Sequence, residues 1–423
     1  MKWRNQLLAL FCLIVFAAFG VFYFRHWVVQ KPFGIILFVG EGLSPARLAP
    51  TRVYAGGVDT PLALDGLPHL ALLKNSSKDF AAPDRAAAAA AIATGLRTNN
   101  QSLRGDTDGA AAPSLLELAR RAGRATGLVT DGKITDVTPA AFYSRRADVA
   151  ALTDVARELA EGATIDLVLG GGRQDFLPET KEGSRTDGRD LLGEIRHKGY
   201  DFIRTKAELE AVPRWKRPKV FGLFSHTEFA FAGEVEARGE QPSLGEMVRR
   251  AIELLQYNRG GYLLVVDAHL MRKAAQQNDV EQTLAETVEL DRAVALARRY
   301  AGAKSTVIVC GDVALGGLHL NGSPFRTDRG VAVLGLNSSG DPWFSWASGP
   351  NGARSYGAAR LVPQPSPGSS ASGETSQEPA AFFAPSALDT VEDAAAFAAG
   401  PGSENFRGLL DNTAVFRIIR DLL

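Results

Sequence analysis

The sequence predicts an α/β fold built on a mostly parallel central sheet. Short apolar runs end in glycine or a carboxylate, as in Pro32 to Val39, which precedes Gly-Glu-Gly. Such runs are typical of buried parallel strands. Segments with helical apolar spacing separate them, and this alternation is typical of a doubly wound sheet. At 423 residues, with 45% hydrophobic and 22% charged residues, the chain is long enough for one large domain of this kind.

The first thirty residues predict a transmembrane anchor or signal, and residues 31–423 form the predicted globular domain. Gln6 to Phe24 is almost entirely apolar, and about nineteen such residues can just span a bilayer. Ala17-Ala18-Phe19-Gly20 matches a signal cleavage site poorly, which favours an uncleaved anchor. The flanking basic residues slightly favour an amino terminus inside the cell. The globular domain is therefore expected in the periplasm or outside the cell, with the membrane as a partner.

Composition excludes some partners. Lys plus Arg and Asp plus Glu are equal at 47 each, so no basic excess points to nucleic acid. Cys12 lies in the apolar amino-terminal stretch and Cys310 in a predicted core strand, so a disulfide between them is not expected.

The predicted elements begin with the apolar strand and an alanine-rich helix that Asp84 caps. Strands are predicted at 32–39, 126–130, 166–169, 262–266 and 306–310, and helices at 115–121, 191–198, 243–256, 280–300 and from about 412. From about 337 to 385 the pattern fails. The Pro, Ser and Gly content of 363–378 predicts an insertion with a flexible segment there.

Carboxylates follow or end three of the predicted strands. Glu41, Asp267 and Asp312 each come directly after an apolar run. Because the carboxyl ends of parallel strands meet at one edge of a sheet, we expect these three side chains to converge.

Taken together, these segments resemble the alkaline phosphatase family from Lys31 to Leu423. Residues 33–42 are similar to its opening strand and Gly-Asp-Gly turn, and 84–98 to its nucleophile helix, Asp-Ser-Ala-Ala…Ala-Thr-Gly-x-Lys-Thr. Residues 134–141, ITDVTPAA, follow the family's Ile-Thr-Asp-Ala-Thr-Pro-Ala-Ala closely. Further similar segments are 167–173, 265–279, 306–322 and 389–393.

This resemblance implies an alkaline-phosphatase-like three-layer sandwich with a mostly parallel central sheet. It also implies hydrolysis of phosphate monoesters by a serine at a helix amino end, with two zinc ions and a magnesium ion. One zinc would lower the pKa of the attacking hydroxyl, the other would stabilise the leaving oxygen, and an arginine would hold the phosphate through two hydrogen bonds.

Several residues at the family's functional positions are replaced. Arg85 stands at the nucleophile position, and arginine cannot be phosphorylated by this route. The resemblance aligns Glu41 with the carboxylate that bridges zinc and magnesium. Thr138 and Asp267 align with magnesium ligands, and Asp136 lies one shell further out. Together with the retained zinc ligand Asp312, these residues imply weak residual metal binding, with magnesium as the candidate ion.

The same alignment breaks both zinc sites. In one site the ligands are replaced by Arg272, Gln276 and Asp389. In the other, Asp312 is kept but its histidine neighbour aligns with Val313. Zinc, which active relatives would use, is therefore not expected to bind. The phosphate-holding arginine aligns with Arg145 or Arg146, and a short deletion leaves this choice open.

Two alternatives concern these assignments. If the alignment were shifted, the nucleophile could be Ser76, Ser77 or Ser102, but the alanine run and Thr94-Gly95 favour the register with Arg85. Three mid-chain histidines lie near strand ends or loops, without a His-x-x-x-His pair to suggest a rebuilt zinc site. We interpret them as structural or surface residues: His226, His269 and His319.

Loss of the metal ions would leave several carboxylates facing one another, and like charges in one cleft are costly unless they are neutralised. We expect the guanidinium of Arg85 to pair with Asp312 or Glu41, and that of Arg272 to pair with Asp389. The two arginines would then act as countercharges in place of the metals.

The sequence therefore predicts a membrane-anchored pseudophosphatase, which has lost zinc-dependent hydrolysis and acts as a binding or structural protein. A phosphorylated or acidic ligand would suit such a site. The alternative is an active phosphomonoesterase that uses the residual metal site, and a third interpretation is an envelope structural protein without a site ligand. A homodimer is also an open alternative.

Overall fold

A computed structural model describes residues 2–23, 31–103, 106–107, 110–144, 152–162, 164–216, 219–234, 239–321, 334–337, 340–353 and 378–423. The strands in these ranges are β1 (Gly34–Gly40), β2 (His69–Lys74), β3 (Asp106–Thr107), β4 (Ala110–Ala111), β5 (Ala125–Lys133), β6 (Leu167–Gly171), β7 (Tyr200–Ile203), β8 (Lys219–Leu223), β9 (Tyr262–Ala268), β10 (Thr306–Gly311), β11 (His319–Leu320), β12 (Phe344–Gly349), β13 (Ala380–Phe383), β14 (Ala394–Ala399) and β15 (Gly408–Asp411).

Ten of these strands form the central sheet, in the order β15-β2-β14-β10-β1-β9-β5-β6-β8-β7. Neighbouring strands run parallel from β10 to β7, whereas β14 runs antiparallel to both β10 and β2. The predicted α/β fold with a mostly parallel central sheet is thus confirmed.

Helices cover both faces of the sheet and complete three layers. On one face, Ile35 and Leu37 of β1 join the core beneath the helices Arg85–Thr94, Leu115–Arg121, Leu152–Gly162, Leu191–His197 and Thr413–Leu422. On the other face, Ile36 and Phe38 pack in the core formed with Leu244–Leu255 and Val280–Ala301. Strand β1 is therefore apolar at successive positions because both of its faces are buried.

Local capping explains where several of these helices begin. The Asp84 side chain accepts a hydrogen bond from the Ala87 amide at 2.9 Å, which satisfies one of the free donors at the helix start. Ser114 and Ser243 each form a capping box with the glutamate three residues later. The remaining helices are Lys2–Tyr23, Pro45–Gly56, Val137–Ala141, Lys206–Ala211 and Leu270–Gln276.

The region from 337 to 385 differs from the expectation that regular structure is lost there. Strands β12 and β13 lie within it and form a small sheet with β11. The Trp346 indole is buried and donates a hydrogen bond to the carbonyl of Asn278 at 3.1 Å. These strands are only six and four residues long, too short for a clear local strand pattern, so their contacts with other segments define them. Residues 363–377 of the predicted flexible segment lie outside the described residues.

The amino-terminal helix agrees in length with the predicted span. Within Lys2–Tyr23, the segment Trp3–Val21 has a mean hydropathy of 1.8 and is not buried against the rest of the chain. This one helix is long and apolar enough to cross a membrane, by length and composition.

Gly311 provides a test of how the sheet positions the turn after β1. A Cβ atom at Gly311 would lie 2.0 Å from the Leu43 carbonyl oxygen, whereas a Cβ at Gly162 would meet no heavy atom within 4 Å. We expect Gly311→Ala to lower the free energy of unfolding by about 1–3 kcal/mol through overpacking. Gly162→Ala should change it by less than about 0.5 kcal/mol. Urea denaturation of the full-length chain in mild detergent, followed by tryptophan fluorescence, measures both, and equal effects would contradict the expectation.

Candidate functional site

Three buried carboxylates meet where the central strands end. Gly40 at the end of β1 pairs with Ala268 of β9 and Gly311 of β10. Glu41, which directly follows β1, Asp267 near the end of β9 and Asp312, which directly follows β10, therefore lie at neighbouring strand ends. Their exposed fractions are only 0%, 0% and 1%. This arrangement agrees with the predicted convergence, and it places up to three negative charges in one buried region.

Arg85, at the start of the alanine helix, directs its guanidinium at these carboxylates. Its Nε lies 3.5 Å from Glu41 Oε1, and its Nη2 forms an ion pair with Asp136. Glu41 is one of the two expected partners, whereas the contact with Asp136 was not expected. Burial alone would lower the pKa of Arg85, but the charges of Glu41 and Asp136 raise it above its ordinary value. Arg85 is therefore a fixed cation in this site.

His269, interpreted from the sequence as a structural or surface residue, is 7% exposed and lies in the same cluster. Its Nδ1 lies 3.1 Å from Glu41 Oε2 and 3.4 Å from Asp136 Oδ2. Burial favours the neutral ring, but these two carboxylates outweigh burial and raise the pKa of His269. A Cβ at Gly132 would lie 2.8 Å from the ring, so the glycine makes room for it.

Hydrogen bonds to the Asp131 side chain also fix the backbone around His269. Asp131 Oδ1 accepts hydrogen bonds from the amides of His269 and Leu270 at 2.7 and 3.2 Å. Sequence reasoning missed this contribution, although two signals were present. Asp131 comes at the end of one apolar run. His269 comes two residues after Asp267, the carboxylate that follows the apolar run 262–266.

Arg272 forms the second expected ion pair. Its Nη2 lies 2.6 Å from Asp389 Oδ1, and the two side chains are 6% and 21% exposed. The other two positions aligned with lost zinc ligands have different surroundings. The carbonyl of Gln276 accepts a hydrogen bond from the Ala387 amide at 3.0 Å, and Val313 is fully buried. The hydrocarbon side chain of Val313 has no atom that could ligate a metal.

A third buried arginine, Arg47, was not foreseen. It lies in the helix after β1 and is 2% exposed, and its two terminal nitrogens have no hydrogen-bond partner among the described residues. Burial lowers its pKa to about 10, despite the nearby charge of Asp312. Asp312 in turn accepts a hydrogen bond from the Gly42 amide at 2.7 Å. The cluster therefore brings three arginines and one histidine to the acidic strand ends.

The carboxylates respond differently to this environment. Burial would raise the pKa of Glu41, but the charges of Arg85 and His269 outweigh it and hold the pKa well below its ordinary value. For Asp267, burial and the charge of Glu41 raise the pKa well above the usual range. The same two causes raise the pKa of Asp312 to about 6. The cations thus lower the pKa of one carboxylate, whereas burial and like charge raise the pKa of its two neighbours.

The donor atoms at this site suit some metals better than others. Thr138 Oγ1 and Asp267 Oδ1 are buried without a hydrogen-bond partner in the described residues, and Thr130 donates to the other oxygen of Asp267 at 2.8 Å. An all-oxygen set of this kind fits magnesium. Zinc sites usually include imidazole or thiolate ligands, and this set has neither. In the described ranges no group of three or more His, Cys, Asp and Glu side chains is arranged to hold a metal ion of either kind.

Arg145 and Arg146, the expected positions of the phosphate-holding arginine, lie outside the described residues. Their role stays a prediction from the resemblance.

Comparison with known proteins agrees with the fold. The family model described as alkaline phosphatase matches residues 34–423, and this chain therefore belongs to the alkaline phosphatase family.

Curated relatives match over different shares of their length. Alkaline phosphatase 4 of Bacillus subtilis is 27% identical over 429 residues, covering 92% of this chain and 88% of the relative. The tissue-nonspecific isozyme of Gallus gallus is 29% identical over 350 residues, covering 71% of this chain and 66% of the relative. A membrane-bound alkaline phosphatase of Bombyx mori is 28% identical over 373 residues, covering 76% of this chain and 67% of the relative.

Solved structures confirm the fold. The alkaline phosphatase of Thermus thermophilus superposes with a TM-score of 0.72 at 25% identity, covering 93% of this chain and 92% of that chain. The alkaline phosphatase from the Antarctic bacterium TAB5 also superposes with a TM-score of 0.72, at 20% identity, covering 93% of this chain and 98% of that chain. A variant of the TAB5 enzyme is described with magnesium bound in one of its sites.

The ion pair between Arg272 and Asp389 should contribute measurably to stability. Arg272→Gln would leave the Asp389 carboxylate without its partner. We expect a loss of about 2–4 kcal/mol in the free energy of unfolding, somewhat below the cost for a fully buried pair. The matched control is Lys181→Gln, whose ion pair with Asp190 spans 2.7 Å but involves a lysine that is 58% exposed. It should cost less than about 1 kcal/mol. Urea denaturation of both variants checks the ranking, which equal losses would contradict.

Proposed function

We propose that this chain is a membrane-anchored pseudophosphatase: a member of the alkaline phosphatase family that has lost zinc-dependent hydrolysis of phosphate monoesters and acts as a binding or structural protein. The observation that carries the proposal is the position of Arg85. At the helix start that the family resemblance assigns to the nucleophile, its guanidinium pairs with Glu41 and Asp136. A cation engaged with two carboxylates cannot attack phosphorus.

The residues at the two zinc positions support the same proposal. Arg272 is paired with Asp389, so a cation already neutralises this carboxylate. Zinc needs neutral imidazoles, thiolates or carboxylates as ligands, and guanidinium, amide and isopropyl groups cannot replace them. We infer that the arginines and His269 act as countercharges where the family's zinc ions would otherwise balance the carboxylates.

An acidic or phosphorylated ligand of this site would lie beside Glu41 and Asp136 as well as Arg85. The positive charge of Arg85 is therefore largely neutralised within the protein. Binding of such a ligand here stays a proposal, and it would need the phosphate arginine expected at Arg145 or Arg146.

A second candidate is an active phosphomonoesterase that uses magnesium. The observation that favours it is a pair of buried oxygens, Thr138 Oγ1 and Asp267 Oδ1, that have no hydrogen-bond partner among the described residues. The charge of Glu41 acts on Asp267. These three residues would hold the ion, and bound magnesium would supply charge neutralisation at a phosphate oxygen. The chain's own residues nearby are Arg85, a fixed cation, and His269, whose pKa is raised by the adjacent carboxylates. Neither replaces a nucleophilic hydroxyl, so we favour the first candidate.

Turnover of 4-nitrophenyl phosphate tests the choice. We expect the purified full-length chain to show no zinc-dependent turnover above the blank, with the Bacillus subtilis relative as the positive control. Arg85→Ser should also stay at background, because Arg272 and Val313 still occupy zinc positions.

Two outcomes would argue against the first candidate. Zinc-dependent turnover by the unaltered chain would overturn it. Magnesium-dependent turnover that is lost in both Thr138→Val and Asp267→Asn would favour the second candidate.

We also propose that the helix Lys2–Tyr23 anchors the domain to a membrane and that the domain lies outside the cytoplasm. The length and hydropathy of Trp3–Val21 support an anchor. The orientation is supported by the flanking basic residues of the sequence.

Deletion of residues 2–23 tests the anchor. We expect the full chain to stay with the membrane pellet after alkaline carbonate extraction and the deleted form to appear in the supernatant, because the apolar span is then absent. A double substitution of the exposed Leu70 and Leu72 to Ser is the matched control, and it should not release the chain. Extraction of the unaltered chain by carbonate would contradict the proposal.

A further inference from the structure

A cleft of about 310 Å³ lies at the carboxyl ends of the strands, as the candidate site does, but next to β6, β8 and β7 on the far side of β5. Arg173 follows the end of β6, Arg204 follows β7, and His226 lies just after β8. Ligands of open α/β sheets commonly bind at the carboxyl ends of the strands. None of the residues of the candidate site lines this cleft, so it is a separate place on the molecule.

The charged side chains lining the cleft are mainly basic: Arg173, Lys181, Arg196 and Arg204, with Glu182 and Asp190 as the acidic residues. Lys181 and Asp190 neutralise each other through an ion pair of 2.7 Å. Three guanidiniums then face one remaining carboxylate, which is an excess of positive charge over a small volume. Such a concave, positively charged surface attracts anions.

Two of these arginines have no protein partner for their charge. Within the part of the chain that the structure describes, the guanidiniums of Arg173 and Arg204 form neither an ion pair nor a hydrogen bond. Burial and the neighbouring charge of Arg204 both lower the pKa of Arg173. The charge of Glu182 offsets only part of this effect, and an anion between the two arginines would relieve their repulsion.

The backbone that carries Arg173 is already ordered. The Arg173 amide donates to the Ser225 carbonyl at 3.2 Å, and the Gln174 amide donates to the His226 carbonyl at 3.1 Å. These hydrogen bonds tie the turn after β6 to the loop after β8. Binding would consequently require little backbone rearrangement, which lowers the entropic cost of holding a ligand.

The cleft also has an apolar wall formed by Leu177, Leu192 and Phe202. The Arg196 guanidinium lies 4.9 Å from the centre of the Phe202 ring. A volume of this size falls at the lower end of small-molecule sites. The combination of free guanidiniums with an apolar wall suits a ligand that is anionic at one end and uncharged at the other.

We propose that this cleft binds a small organic phosphate, with the phosphate group between Arg173 and Arg204 and the uncharged part against Phe202. Guanidinium groups recognise phosphate oxygens through paired, charge-assisted hydrogen bonds. This binding site does not depend on the loss of catalysis proposed above, since it uses different residues.

Isothermal titration calorimetry of the full-length chain with phenyl phosphate tests this assignment. We expect saturable binding that weakens as salt is added. Arg173→Gln and Arg204→Gln should each weaken it about tenfold or more, through loss of charge-assisted hydrogen bonds. Glu182→Gln should tighten it, because a negative charge leaves the cleft. The matched control is Arg292→Gln, a 71% exposed arginine outside the cleft, and it should leave affinity unchanged.

Further variants separate the two ends of the ligand and the two sites. Phe202→Leu should weaken binding of phenyl phosphate but not of inorganic phosphate. Arg85→Ala should leave binding intact. No saturable binding, or binding that is lost in Arg85→Ala but kept in folded Arg173→Gln and Arg204→Gln, would overturn the proposal. Circular dichroism and urea midpoints equal to those of the unaltered chain establish that each variant is folded.

Discussion

The buried charge of Glu41 is the constraint on which the site depends. Glu41 follows the central strand β1 and has no exposed surface, and an ionised carboxylate without a partner is costly in such a place. Arg85 and His269, from two different later segments of the chain, lie 3.5 and 3.1 Å from it. One carboxylate thereby joins the turn after β1, the start of the alanine helix and the segment after β9.

The neighbouring carboxylates are neutralised in two ways. Asp389 has a guanidinium partner, whereas burial and the charge of Glu41 raise the pKa of Asp267 and Asp312. In the proposed pseudophosphatase, protein cations would balance much of the acidic charge at the strand ends in place of divalent ions. Such a replacement would have a chemical consequence. A metal ion can keep an open position for a substrate oxygen, whereas a guanidinium cannot act as a Lewis acid.

Much of the fold could be predicted because its signals are local. The helix Leu115–Arg121 was predicted with the same bounds, and β1, β9 and β10 were each predicted to within a few residues. Apolar runs and capping residues such as Asp84 and Ser243 identify these elements from adjacent positions alone. Strands β12 and β13 were missed because they are short and depend on contacts with distant segments, as at Trp346 and Asn278.

The candidate site likewise has features that could be predicted from the sequence and features that could not. The sequence by itself determined that acidic residues end three central strands and that Arg85 begins the alanine helix, since these facts depend only on chain order. Only the tertiary structure decided which charges meet: Asp136 beside Arg85, His269 between two carboxylates, and Arg47 near Asp312. Burial and pairing are properties of side chains far apart in sequence, such as His269 and Glu41 at a separation of 228 residues. No local pattern encodes such a contact, because its energy arises only after the sheet has brought the strand ends together.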